Sequence, residues 1–227
     1  MNPLRTFCCL LLPFLFLQCS QKSDSGEKTG PAADAQKEQT APQPMKTILF
    51  FGNSLTAGYG LKDPSLAFPG LIQQKIDSLG LPYKAVNAGL SGETTAGGKN
   101  RIDWLLRQKV DVFVLELGAN DGLRGIPPTE SARNLQAIVD KVKGKYPDAK
   151  LVMLGMEVPP NMGGQYAAQF RVIFREVAQQ NNMALVPFLL EGVGGVRNLN
   201  QADGVHPTAE GQKILAENVW KVLKEIL

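Results

Sequence analysis

The chain has 227 residues, of which 44% are hydrophobic and 20% charged, and a formal net charge of +3. This apolar fraction is too high for a disordered protein, and the length fits one or at most two domains. The small net charge does not indicate a nucleic-acid binder, which usually carries a strongly basic face. The three cysteines and one histidine cannot build an ordinary zinc site if the cysteines are removed or modified. Any imidazole chemistry near neutral pH must therefore use His206.

The N-terminus has the features of an export signal. One positive charge, Arg5, precedes an apolar run over residues 7–17, which is too short for a spanning helix of roughly twenty residues. The run ends in Leu-Gln-Cys-Ser, which resembles a bacterial lipoprotein signal, although Gln18 stands where such signals usually have a small residue. We expect residues 1–18 to be a lipoprotein signal peptide and Cys19 to carry the lipid. A plain secreted protein and an uncleaved anchor are the alternatives.

Residues 19–45 have the composition of a linker. From residue 21 to residue 44 they are rich in Ser, Gly, Ala, Gln, Lys, Asp, Glu and Pro, with no aromatic residue. This composition predicts a solvated, disordered segment that holds a domain away from a membrane surface. The folded domain is expected over residues 46–227, which is long enough for one sizeable core and has neither a free thiol nor a disulfide.

From residue 46 onward, short apolar runs alternate with amphipathic segments. Runs typical of buried strands cover residues 47–51, 83–87, 111–117, 150–156 and 184–187. Helical spacing covers residues 66–79, 98–108, 129–145, 165–181 and 207–226. Thr129 is expected to cap one of these helices and Pro207 to occupy the first position of another. The alternation predicts an α/β fold with a five-stranded, mainly parallel sheet and helices on both faces.

In such a sheet, ligands bind beyond the carboxyl ends of the strands. The first strand is followed there by a glycine-rich run that contains Ser54. Neither nucleotide-binding glycine pattern is present, and Thr56 breaks the Gly-x-Ser-x-Gly pattern of an α/β-hydrolase elbow. A phosphate cradle and a turn that presents a serine nucleophile both remain open for this run.

His206 follows a carboxylate, Asp203, by three residues and is fixed by the next residue, a proline. In a turn, this spacing lets the carboxylate hold Nδ1 and leaves Nε2 to accept a proton from a serine. The alternative is a structural histidine. Two further residues follow strands: Gly89, whose backbone N–H a ligand can approach closely, and Asn120. With the N–H of Ser54 they would give three donors for an oxyanion, although each alone is equally explained as a loop residue.

Four motifs, taken in order, resemble the conserved blocks of the SGNH (GDSL) hydrolases. They are Gly52-x-Ser-Leu, Gly89, Gly118-x-Asn-Asp and Asp203-x-x-His. Residues 87–98 and 116–125 look like the subgroup of bacterial thioesterase I, protease I and lysophospholipase, with its arylesterase relatives. The resemblance covers the chain from about residue 46 and implies a three-layer, flavodoxin-like fold. Asn53 departs from the pattern, because the family usually has aspartate there.

The resemblance also implies roles. Ser54 is expected to be the nucleophile, His206 the general base and acid, and Asp203 the residue that orients it. Ser54, Gly89 and Asn120 are expected to form the oxyanion hole, without a metal or cofactor. Asn161, Ser91 and Arg124 are weaker candidates for substrate contacts. The alternative for Asn161 is a turn or a helix cap, and for Arg124 an ion pair that closes the loop. Ser91 begins a segment, rich in small residues, whose counterpart in the family moves with the bound acyl chain. We expect Glu116 and Asp121 to support the structure rather than to react.

These features imply an exported, membrane-anchored serine esterase. It would hydrolyse carboxylic esters or thioesters, such as aryl esters, acyl thioesters or lysophospholipids, through an acyl-enzyme. An O-deacetylase of cell-envelope carbohydrate and a lipoprotein that binds acyl ligands without turnover are the alternatives. The expected partners are a small acyl ester or lysolipid and the membrane, with no nucleic acid, and the protein is expected to be a monomer.

Overall fold

The computed structural model describes residues 44–227. The expectations for the signal peptide, for Cys19 and for almost all of the linker concern residues outside this range. Within it, no helix combines the length and the apolarity needed to cross a bilayer.

Five strands form one sheet, and every neighbouring pair is parallel. The strands are β1 (Lys46–Gly52), β2 (Tyr83–Gly89), β3 (Val112–Glu116), β4 (Lys150–Leu154) and β5 (Ala184–Val186). Their order across the sheet is β2-β1-β3-β4-β5. The predicted α/β fold is confirmed, and the sheet is parallel throughout. In the register, Gly52 lies opposite both Gly89 and Glu116, so three strands end side by side and their following loops meet.

The central strands are buried on both faces. All five residues of β3 are buried, and so are the last five of β1. Continuous apolar runs of this kind are typical of parallel sheets covered by helices on either side. Three phenylalanines, Phe50, Phe51 and Phe113, are fully buried and anchor the core around β1 and β3.

Seven helices in the described range cover the sheet. They are α1 (Ser54–Ala57), α2 (Phe68–Ser78), α3 (Thr95–Leu105), α4 (Ala119–Leu123), α5 (Pro128–Lys145), α6 (Gly164–Gln180) and α7 (Ala209–Leu223). Helices α3, α5 and α6 pack side by side, and α2 packs against α7. Right-handed crossovers place α2 on one face and α3, α5 and α6 on the other, because the chain moves from β1 to β2 in one direction and from β2 onward in the other. Helix α7 follows β5 and shares the face of α2. Short 3₁₀ turns occur at Pro64–Leu66, Pro160–Met162, Arg197–Leu199 and Lys224–Ile226.

Two expected helix starts are wrong. Helix α5 begins at Pro128, so Thr129 lies inside its first turn and does not cap it. Helix α7 begins at Ala209, and Thr208 caps it by accepting a hydrogen bond from the N–H of Gly211. Pro207 is therefore not the first helical residue; it pairs with Asn200 in an antiparallel bridge just before the helix.

Helix α3 also begins three residues earlier than predicted. Its cap is Thr94, whose side chain accepts a hydrogen bond from the N–H of Gly97. The next residue, Thr95, is fixed by Asp121, which accepts from both its N–H and its hydroxyl. A cap and a buried carboxylate thus extend the helix into a glycine-rich stretch with low helix propensity.

Candidate active site

The chain turns sharply at the end of β1 in a segment that we name the Ser54 turn, residues 52–57. Asn53 caps α1, because its Oδ1 accepts from the N–H of Leu55 at 3.0 Å. Gly52 has to be a glycine here: a Cβ would lie 2.1 Å from Thr56 Oγ1 and 2.5 Å from Glu116 Oε2. This geometry places Ser54 at the first position of a helix, where backbone N–H groups have no intrahelical partner.

Asp203 and His206 lie on a second turn, the His206 turn, residues 203–206. Asp203 Oδ1 accepts from the N–H groups of Val205 at 2.9 Å and His206 at 3.0 Å. Gly204 adopts φ = 72°, which favours glycine, and so lets the chain reverse within three residues. The backbone bonds hold the second oxygen, Oδ2, 2.8 Å from His206 Nδ1.

Ser54 and His206 are brought together across 152 residues of chain. His206 Nε2 lies 2.9 Å from Ser54 Oγ. When Nδ1–H donates to Asp203, Nε2 is left as an acceptor for the Ser54 hydroxyl. The ring of Tyr59 covers the imidazole, with the two centroids 4.6 Å apart. The three predicted residues therefore form one continuous hydrogen-bonded chain.

Hydrogen bonds lower the pKa of Asp203 to about 2. The largest cause is the bond from the His206 backbone N–H, followed by the His206 ring and the Val205 N–H. The Asp203 side chain is 41% exposed, so solvent screens its charge and the shift adds little to the stability of the fold. Its consequence is that the carboxylate stays ionised throughout the neutral range.

Asn120 lines the same cavity as Ser54 and His206. It is the second residue of α4, and its Nδ2 donates to the carbonyl of Glu93 at 3.0 Å. The other Nδ2 proton remains for a ligand. The next residue, Asp121, is fully buried and accepts hydrogen bonds from Thr95 and Ser131, which ties α4 to α3 and α5. Asp121 thus holds Asn120 in place.

Gly89 does not present a free N–H to the site. Its N–H donates to Asn87 Oδ1 at 3.0 Å. A packing constraint accounts for the glycine: a Cβ would lie 2.2 Å from Ala57 N and 2.8 Å from Asn53 O. The expectation that Gly89 supplies an oxyanion donor is therefore corrected, because its lack of a side chain lets β2 approach the Ser54 turn.

The loop after β2 contains another glycine with a different setting. Gly92 adopts φ = 81°, and its N–H donates to no residue in the range 44–227. The Arg124 side chain donates to its carbonyl at 3.1 Å, and the next carbonyl, of Glu93, receives Asn120. Sequence reasoning does not single out Gly92, because a run with several glycines does not show which N–H is left without a hydrogen bond.

An ion pair fixes this loop from beneath. Arg101 donates from Nε and an Nη to the buried Glu93 carboxylate at 2.7 and 2.5 Å, and from an Nη to the carbonyl of Ala88 at 3.0 Å. Its guanidinium lies 4.6 Å from the centroid of the Phe51 ring. Such bidentate pairing holds the backbone of residues 88–93 in one geometry.

The three weaker substrate candidates do not line the cavity. Asn161 and Ser91 are exposed, and Arg124 closes the loop through its bond to Gly92. The cavity, about 530 Å³, is mainly apolar, and its hydrophobic lining includes Leu55, Leu123, Met156, Val158, Phe188, Leu190 and Val205. The sequence carries no signal that separates such cavity-lining residues from core residues.

Glu116 lies beneath the Ser54 turn at the end of β3 and is 1% exposed. Its Oε2 accepts from the Asn53 N–H at 3.0 Å and from Thr56 Oγ1 at 2.8 Å. Its Oε1 accepts from Asn53 Nδ2 at 2.8 Å. Burial raises the pKa of Glu116 to about 7 against the opposing effect of these donors.

Comparisons with known proteins agree with this geometry. The model of the GDSL-like Lipase/Acylhydrolase family matches residues 50–214. Esterase TesA from Pseudomonas aeruginosa is 44% identical over 84% of this chain and 92% of that protein. Thioesterase 1/protease 1/lysophospholipase L1 from Escherichia coli K12 is 35% identical over 80% of this chain and 85% of that protein.

A solved structure of the psychrotrophic esterase EstA from Pseudoalteromonas sp., inhibited by monoethylphosphonate, is similar in fold as well. It has a TM-score of 0.74 and 33% identity, and the match covers 79% of this chain and 97% of that one. The family match spans most of the described fold, and two curated relatives exceed 30% identity over most of their length. The chain therefore belongs to the GDSL-like lipase/acylhydrolase family and is a hydrolase of ester bonds.

Proposed function

We propose that Ser54, His206 and Asp203 are the catalytic triad of an esterase that works through an acyl-enzyme. The supporting observation is the unbroken chain from Asp203 Oδ2 to His206 Nδ1 and from His206 Nε2 to Ser54 Oγ, at 2.8 and 2.9 Å, with Ser54 and His206 in the lining of an apolar cavity. Both contacts lie in the range for proton transfer between a nucleophile, a base and an orienting acid.

The reaction proceeds in two halves. His206 Nε2 takes the Ser54 proton as Oγ attacks the acyl carbonyl, and Asp203 stabilises the imidazolium that forms. The tetrahedral intermediate collapses, and His206 gives the proton to the departing alcohol or thiol. Water then attacks the acyl-enzyme with His206 again as base, which releases the acid and restores Ser54.

The oxyanion of both intermediates requires donors beside Ser54. We assign this role to the N–H of Ser54, the free Nδ2 proton of Asn120 and the N–H of Gly92. Asn120 and Gly92 border the same loop, because Asn120 bonds to the carbonyl of Glu93. Gly89 would serve only if its N–H left Asn87.

The lining of the cavity indicates what kind of acyl group the substrate carries. Its apolar lining suits a hydrocarbon chain, and no ionisable side chain among residues 44–227 other than Glu157 and His206 lines it. The names of the relatives, esterase and thioesterase 1/lysophospholipase L1, agree with an acyl group carried on different leaving groups. We therefore propose acyl esters, acyl thioesters or lysolipids as substrates and rank a carbohydrate O-deacetylase lower.

Hydrolysis of p-nitrophenyl butyrate by the full-length chain tests the proposed function. Turnover should be lost in Ser54→Ala and kept in Ser78→Ala, which removes an exposed hydroxyl at the end of α2. A fluorophosphonate should label the wild-type protein and Ser78→Ala but not Ser54→Ala. Wild-type turnover no faster than that of Ser54→Ala would refute the proposed catalytic triad.

We also propose that residues 1–18 are removed on export, that Cys19 carries a lipid, that residues 19–45 form the linker, and that the mature protein is a monomer. The apolar run over residues 7–17 and the cysteine that follows it support this proposal. Labelled palmitate should enter the wild-type protein and not Cys19→Ala. Secretion without lipid would refute the anchor, and light scattering on the purified protein measures the oligomeric state.

A further inference from the structure

Within residues 44–227, the hydrogen bonds that the Glu116 carboxylate accepts come from the Ser54 turn. Three donors on two residues, Asn53 and Thr56, converge on its two oxygens. The carboxylate fills the space that a side chain at Gly52 would otherwise occupy. A buried carboxylate whose hydrogen-bond donors all lie on one turn restrains that turn. Moving the turn would leave the buried charge without hydrogen bonds, which is unfavourable.

We infer that Glu116 is a positioning residue for ester hydrolysis: its carboxylate holds the Ser54 turn in place through the hydrogen bonds that it accepts from Asn53 and Thr56. The inference rests on the proposed function, because it concerns the placement of the serine that the proposed function uses. Glu116 acts through Asn53 and Thr56 and does not touch the substrate.

The side chain of Asn53 transmits this restraint in two directions. Its Nδ2 donates to Glu116 Oε1, while its Oδ1 accepts from the Leu55 N–H and lies 3.4 Å from Ser54 Oγ. An amide is suited to this position because it has a donor at one end and an acceptor at the other. A carboxylate at position 53 would put two acids 2.8 Å apart, and one of them would have to hold a proton.

The surroundings of Glu116 make the ionisation of its carboxyl group depend on which residue stands at position 53. Burial raises its pKa to about 7, and no charged side chain within residues 44–227 contributes to the shift. Ionisable groups on neighbouring elements bond elsewhere; they are His206 and Asp203 on the His206 turn, Asp121 on α4 and Glu157 after β4. A second carboxylate at position 53 would therefore face Glu116 without a compensating cation.

Four full-length proteins test the inference with p-nitrophenyl butyrate: wild type, Glu116→Gln, Asn53→Asp, and the double variant that exchanges the amide and the carboxylate. In the double variant, the acid at position 53 still caps α1 and accepts from the new amide, whose oxygen still accepts from Thr56. We expect Glu116→Gln to lose about 10- to 100-fold in kcat at pH 8 with KM nearly unchanged. The double variant should recover most of that loss.

The pH profile separates positioning from a general loss of structure. Activity of Asn53→Asp should fall relative to wild type as the pH rises, because the second carboxylate of the pair then ionises. The profiles of Glu116→Gln and of the double variant should show no such fall. Wild-type kcat in Glu116→Gln, or a folded double variant no better than Glu116→Gln, would overturn the inference.

Thr56→Val provides a variant that keeps the carboxylate if Glu116→Gln does not fold. It removes one of the three donors and should lower kcat without raising KM. A folded Thr56→Val with wild-type kcat would likewise overturn the inference. An inactive wild type would instead refute the proposed function, so the two failures are distinguishable.

Discussion

Replacing Asp203 by asparagine isolates what the carboxylate does for His206. Asparagine can keep both bonds from the N–H groups of Val205 and His206, so the turn should persist. Its other end, however, is an N–H₂ group that faces Nδ1 of His206, where the oxygen Oδ2 lies in the wild type. The imidazole must then take the tautomer that has Nε2 protonated, and Nε2 can no longer accept the Ser54 proton.

The structure sets a limit on this penalty. The asparagine can rotate its amide by half a turn to restore the correct tautomer, but it then loses two backbone hydrogen bonds, which costs about 2 kcal/mol. The missing charge on a partly exposed group removes a further ~1–4 kcal/mol of stabilisation of the imidazolium. Together these terms predict a fall in kcat of about 10²- to 10⁴-fold.

Steady-state kinetics with p-nitrophenyl butyrate measures kcat, and the rate of fluorophosphonate labelling reports the activation of Ser54 directly. Both should fall together in Asp203→Asn, while KM and the melting temperature stay near wild type. Asp148→Asn, at an exposed aspartate between α5 and β4, is the matched control and should leave every quantity unchanged. A kcat for Asp203→Asn within fivefold of wild type would refute the reasoning.

Three further outcomes follow from the site. Asn120→Ala should lower kcat by about 10²- to 10³-fold through loss of an oxyanion donor; a loss of less than tenfold in steady-state kinetics would contradict the assignment. Gly89→Ala should lower the free energy of unfolding by ~1–3 kcal/mol, because the new Cβ meets the backbone of Ala57 at 2.2 Å and cannot rotate away; denaturant titration measures this, and an unchanged midpoint would count against the packing role. Leu190→Trp should fill part of the cavity and raise the preference for butyrate over decanoate esters by about tenfold in kcat/KM; an unchanged ratio would place the acyl chain elsewhere.

The site residues whose proximity the sequence predicts correctly are of two kinds. They are either close together in the chain or follow directly after a strand of the sheet. Asp203 and His206 are three residues apart, so a single turn suffices to join them. Ser54 and Asn120 follow the two central strands, whose ends a parallel register aligns. These are the cases in which chain order determines spatial position.

The remaining features depend on which way a group faces, and sequence patterns do not encode that. Gly89 ends β2 and Gly92 lies in the loop that follows, yet the N–H of Gly89 bonds to Asn87 and that of Gly92 has no partner among the described residues. Val158 and Leu190 line the cavity, although their apolar character alone equally suits the core. Helix α3 starts early because a buried carboxylate, far away in sequence, stabilises its first turn.

The long separation between Ser54 and His206 has a consequence for folding. Gln201 spans the gap, because its Nε2 donates to the carbonyl of Tyr59 at 2.7 Å and its N–H donates to the carbonyl of His206 at 2.7 Å. Contacts between such distant parts of a chain form slowly, because a large loop must close first. Reactivity of Ser54 toward a fluorophosphonate should therefore return later in refolding than the helical circular dichroism signal. The labelling rate would then report when the segment that carries His206 packs against the Ser54 turn.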